Sequence, residues 1–156
     1  MSFQNKEFIK YILNGGVYHN VSGNSMEEIL HNISNLIELP DYLTADKVFN
    51  CLLKREKYLS TAVGRGVAIP HCLHFIIRKS SEQKVCIVSL DKELNIYTPD
   101  YKGVKILFVI LSKNTKYHIK ILDVISKLVQ DDSFLSLINK KSEISEICSV
   151  IKGLLN

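Results

Sequence analysis

The chain has 156 residues, 46% hydrophobic and 23% charged, with a formal net charge of +4. That length suffices for one domain with a substantial core, and the composition excludes a disordered or low-complexity chain. The longest unbroken apolar run, Ile106 to Leu111, falls far short of the ~20 residues a membrane span needs, and the scattered lysines exclude a concentrated nucleic-acid-binding face.

In chain order, Met1 to Glu7 lacks a basic segment followed by an apolar one, so it does not read as a signal peptide. Val17 to Val21 follows Gly15-Gly16 and reads as a short strand. Ser25-Met26-Glu27-Glu28 has capping-box spacing, a hydroxyl followed three residues later by a carboxylate. Met26, Ile29, Leu30, Ile33, Leu36 and Ile37 then repeat at helical spacing and predict an amphipathic helix that ends before Pro40. A second helix is expected from Thr44 to about Glu56 or Lys57, with Val48, Phe49, Leu52 and Leu53 on its apolar side. Val63, Val67 and Ile69 read as short extended pieces interrupted by Gly64 and Gly66.

Lys84 to Leu90 and Val104 to Leu111 are the clearest strands. The second is almost wholly apolar, as suits a strand covered on both faces. Asp91 to Gly103 reads as a polar connection. Ile121, Leu122, Ile125, Leu128 and Val129 form a helical stripe that His118 extends at its N-terminal end. A short helix around Phe134 to Ile138 follows, and Ser142 is expected to cap a last one bearing Ile144, Ile147, Val150, Ile151 and Leu154. With no repeat or linker, the chain reads as a single α/β domain over residues 1–156. A central mixed β-sheet flanked by helices on both sides gives three layers, α/β/α.

The segment Ser60-Thr61-Ala62-Val63-Gly64-Arg65-Gly66-Val67-Ala68-Ile69-Pro70-His71 concentrates the chemistry. Pro70 fixes its own φ and biases Ile69 to extended geometry, so the imidazole of His71 sits on stiff backbone. Hydroxyls of Ser60 and Thr61 and the amides around Gly64 and Gly66 are potential donors to phosphate oxygens. A neutral imidazole is a nucleophile near neutral pH. The pattern points to a histidine that carries a phosphoryl group; a plain structural turn is the competing reading. His71-Cys72-Leu73-His74, with Cys86, raises a metal reading, but no second ligand pair appears, so none is expected. His19 and His31 read as surface or partly packed residues. Cys51, Cys72, Cys86 and Cys148 form no CxxC pair and are expected to be reduced, mostly core residues of a cytoplasmic protein.

Arg55-Glu56, then Ser60-Thr61, a glycine-containing stretch and Ala68-Ile69-Pro70-His71 together resemble the enzyme IIA domain of the bacterial phosphoenolpyruvate-dependent phosphotransferase system, fructose/mannitol type. That family includes the nitrogen-regulatory IIA proteins. The resemblance spans roughly residues 8 to 153. Leu59 and Ala62 stand where the family often has glycine.

The resemblance implies that His71 accepts and donates the phosphoryl group, that His118 is the second active-site histidine, and that Arg55 and Thr61 lie at the phosphate. It implies a phosphotransferase with no cofactor and no metal. The donor would be the carrier protein HPr, and the acceptor a IIB protein feeding sugar uptake. Alternatively, the phosphorylation state of His71 itself governs binding to regulatory proteins. A binding module of the same fold without transfer is the remaining reading. Neither nucleic acid nor direct membrane insertion is expected.

Overall fold

The computed structural model describes residues 2–156, with Phe3 described by its backbone alone. Among these residues, five of six α-helices open on a polar side chain that accepts a hydrogen bond from the first turn, which satisfies one of the free N–H groups there. In α1 (Phe3–Gly15) the cap is Ser2, and in α2 (Met26–Leu36) it is Ser25. In α3 (Ala45–Tyr58) it is Thr44, in α4 (Thr115–Leu128) Asn114, and in α5 (Asp132–Asn139) Asp131.

The Ser25 capping box forms with a variation. Ser25 accepts from the Glu28 amide at 3.1 Å, while the Glu28 carboxylate reaches back to the Asn24 amide at 2.7 Å. The sixth helix, α6 (Ile144–Leu154), corrects an expectation. Its N-cap is Glu143, with no side-chain bond; Ser142 stands one position too early to cap, where its amide donates to the Leu137 carbonyl and its own carbonyl faces His19.

Five strands, β1 (Val17–Val21), β2 (Ala62–Gly64), β3 (Val67–Ala68), β4 (Lys84–Leu94) and β5 (Val104–Leu111), form one mixed sheet in the order β1-β4-β5-β3-β2. β4 and β5 pair antiparallel; β1 joins β4 and β3 joins β5 in parallel. β4 runs four residues past the expected Leu90, into the stretch that reads as loop from sequence.

The inner strands carry apolar side chains on both faces, and the alternation sorts them. Val85, Ile87, Ile106, Phe108 and Ile110 pack with residues of α1, α4, α5 and α6. Cys86, Val88, Leu107, Val109 and Leu111 pack with residues of α2 and α3. The result is three layers, helices on both faces of the sheet. No described helix is long and apolar enough to cross a membrane.

Two local devices set how the sheet meets its surroundings. α1 approaches β4 so closely at Gly15 that a Cβ there would stand 2.3 Å from the Val85 carbonyl oxygen. At the opposite edge, Arg65 (φ 58°) and Gly66 (φ 76°) turn β2 back into β3, a two-residue hairpin with both central residues left-handed. The Arg65 guanidinium then caps α4, donating to the Val129 carbonyl at 2.7 Å and pairing with Asp132.

Candidate active site

Past β3 the chain stays beside β5 for one more register position. Pro70 accepts from the Ile110 amide at 2.9 Å, and His71 forms an isolated parallel bridge to Ile110. The imidazole then folds back, with Nδ1 2.8 Å from the carbonyl oxygen of Ile69. A carbonyl only accepts, so Nδ1 carries the proton and the lone pair lies on Nε2. The ring is half-buried. Burial chiefly, with help from the Arg55 cation, holds its pKa below the ordinary value, against opposing effects of the Ile69 bond and Glu56. At neutral pH His71 is a neutral imidazole with Nε2 free to attack.

His118 arrives from the other side, on the first turn of α4. Its ring centroid lies 4.8 Å from that of His71, at an interplanar angle of 51°. Its Nδ1 is 3.1 Å from the hydroxyl oxygen of Ser112, the residue that follows β5. Burial, then the neighbouring His71 and Arg55, push its pKa down to about 4. Phe75 stands edge-on to His118 at 6.2 Å and shares with both histidines a cleft that Cys72, His74, Ile110 and Ser112 also line.

Arg55 lies in the last turn of α3. Its Nη1 donates to the Leu59 carbonyl at 2.5 Å, which caps the helix and leaves the charge near both imidazoles. The next residue, Glu56, holds Thr61 by two bonds, accepting from its amide at 3.1 Å and from its hydroxyl at 2.6 Å. The Thr61 carbonyl in turn accepts from the Ile69 amide at 3.0 Å. Thr61 is buried and its hydroxyl proton already has an acceptor. Ser60 is exposed, and its hydroxyl accepts from the Ala62 amide at 3.2 Å.

The fold separates the two glycines from the histidine. The Gly66 carbonyl bonds the amides of Lys105 and Ile106, whereas His71 lies beside Ile110. Five residues of strand span about 16 Å. Gly64 and Gly66 therefore sit in the hairpin, toward the opposite end of the sheet from His71, and their amides cannot reach a group on its ring.

The cysteines diverge as well. The hydrogen bond between the thiols of Cys51 and Cys72 holds Cys51 below the ordinary value and pushes Cys72 above it. Cys86 is fully buried under α2 and α3, which pushes its thiol up to about 12. Among the described residues no three His, Cys, Asp or Glu side chains converge as metal ligands. His19 bridges the Ser89 hydroxyl and the Ser142 carbonyl, and His31 packs edge-on against Phe49.

A family profile described as "Phosphoenolpyruvate-dependent sugar phosphotransferase system, EIIA 2" matches residues 3–153. The chain belongs to this EIIA family. A nitrogen regulatory protein of Pseudomonas aeruginosa is 35% identical to this IIA chain over 116 residues, 70% of this chain and 71% of the relative. The fold is shared with a nitrogen regulatory protein IIA-Ntr from Neisseria meningitidis (TM-score 0.71, 24% identity, 92% of this chain and 94% of that one). It is shared too with the Escherichia coli IIA-mannitol protein in a complex with phosphorylated IIB-mannitol (TM-score 0.67, 14% identity, 98% and 97% covered).

Two groups in this IIA cleft have no signal in the sequence: the Ile69 carbonyl that orients His71, which is backbone, and the Ser112 hydroxyl on His118, which stands six residues from its partner across a strand-to-helix turn that only the fold closes. Glu56 is marked by the motif, but its role, holding Thr61 by two bonds, shows only in the fold.

Proposed function

We propose that the protein is a cytoplasmic phosphocarrier of the phosphotransferase system that accepts a phosphoryl group from phosphorylated HPr on Nε2 of His71. The observation that carries this reading is the paired imidazole geometry: two neutral rings 4.8 Å apart, with Nδ1 of His71 tied to backbone and Nε2 left free. In the transfer, the P–N bond to the donor imidazole breaks as the bond from Nε2 forms. The donor ring keeps the released electron pair, and the Nδ1 proton of His71 stays hydrogen-bonded to the Ile69 carbonyl. Such a loose transition state asks mainly for positioning and charge stabilisation. Arg55 supplies positive charge, and His118 a hydrogen bond to a phosphoryl oxygen. Glu56 and Thr61 stiffen the strand that presents His71. No step calls for a metal or nucleotide.

The phosphoryl group then passes to a IIB-type protein. A second output is favoured by the likeness to nitrogen regulatory proteins: the phosphorylation state of His71 itself selects among regulatory partners.

The test mixes the protein with phosphoenolpyruvate, enzyme I and HPr and measures acid-labile phosphate by intact mass. One phosphoryl group is expected, absent from His71→Ala; equal labelling of that variant overturns the assignment, and no labelling of the wild type leaves a binding module. Adding a IIB protein separates the outputs, since loss of label to IIB supports transport.

A further inference from the structure

His118 is neutral near pH 7, so its ring carries one proton, and on which nitrogen decides what the ring does. With the proton on Nε2, the ring donates a hydrogen bond into the cleft it shares with His71. With the proton on Nδ1, it presents a lone pair to an anionic phosphoryl group and repels it. Ser112 stands at the other nitrogen, its hydroxyl oxygen 3.1 Å from Nδ1.

Ser112 is only 5% exposed, and among the described residues Nδ1 of His118 is the one hydrogen-bond partner of its hydroxyl. If Nδ1 donated to it, the hydroxyl's own proton would be buried with no acceptor, an arrangement folded proteins avoid. If the hydroxyl donates to Nδ1, both groups are satisfied and the ring proton is left on Nε2. Nε2 of His118 has no bonding partner among the described residues and lies on the ring edge away from Ser112.

We infer that Ser112 is a positioning residue that holds His118 in its Nε2–H form, aiming one donor at the phosphoryl group bound to His71. This deepens the phosphocarrier reading and rests on it. Among the described residues Ser112 makes no hydrogen bond to His71; it acts through the imidazole of His118, as outer partners of metal-bound histidines fix a tautomer.

The experiment is a long-range 1H–15N correlation on 15N-labelled protein at pH 7.5, where protonated and bare ring nitrogens are widely separated. In the wild type, His118 is expected as a single Nε2–H tautomer. Ser112→Ala should give a mixture of tautomers and phosphoryl transfer from HPr about tenfold slower, the lower end of what such partners control. Ser112→Thr, which keeps the hydroxyl, should restore both. A wild-type ring protonated on Nδ1 overturns the inference, as does an alanine variant with unchanged tautomer or unchanged rate. A wild type that takes no phosphate sinks the phosphocarrier reading instead, while the tautomer spectrum still decides whether Ser112 controls the ring.

Discussion

At the scale of single residues, the cleft is built to keep two imidazoles uncharged. Burial does most of it, and the Arg55 cation adds to it for both rings. The linkage sign follows. The unfolded chain takes a proton on histidine near 6.5, before folded His118 does at about 4. Between those values the unfolded state binds more protons, so the stability owed to the neutral ring is full above 6.5 and is lost as pH falls toward 4. Denaturant midpoints between pH 7 and pH 4.5 should fall more in the wild type than in His118→Gln; parallel curves would refute the shift.

Glu56 makes a separate prediction. Glu56→Ala leaves the buried Thr61 amide and hydroxyl without their acceptor, at a cost of about 1–3 kcal/mol in urea unfolding. Double replacement with Thr61→Val should recover part of that loss.

The residues of the cleft are legible in the sequence to different degrees. His71 stands out through Pro70 and the motif around it. That same motif directs attention to His118, some forty-seven positions downstream, and the fold sets the two rings side by side. Gly64 and Gly66 mislead, because glycine near hydroxyls reads equally as an anion cradle or a tight turn. Only the register against β5 shows that the turn lies some five residues of strand away.

At the scale of elements, helices whose caps and stripes agree are readable. Thr44 and Ser25 both mark helix starts, and the structure uses both. α1 escapes sequence reading although Phe8, Ile9, Tyr11 and Ile12 make a helical face, since attention there falls on the polar start and on Gly15-Gly16. What those glycines do is tertiary. Gly15 lets α1 press on the backbone of β4, a contact no periodicity reveals. Gly15→Ala, normally favourable in a helix, should here destabilise the fold by about 1–3 kcal/mol through forced displacement of α1. A thermal melt unchanged or raised would show that the helix shifts freely.

At the scale of the whole molecule, two apolar clusters share one sheet, with alternate residues of β4 and β5 feeding each side. The α/β architecture with helices on both faces is legible from β5, apolar at every position but Lys105. The strand order is not, because β2 and β3 together hold five residues and their hairpin joins the sheet only through the long-range pairing of β3 with β5. The shared sheet predicts one cooperative transition. Leu52→Ala, on the α3 side, should cost about 2–5 kcal/mol, and Phe134→Ala, stacked on Phe108 opposite, about 3–5 kcal/mol. Each should leave a single transition; a variant that melts in two steps would show the layers to be separate units.

The bond from Nδ1 of His71 to the Ile69 carbonyl has an analytical consequence. A phosphoryl group on the remaining nitrogen makes the 3-phospho isomer of histidine. An antibody selective for 3-phosphohistidine should stain the charged protein on a neutral blot, and one selective for the 1-phospho isomer should leave the same band blank.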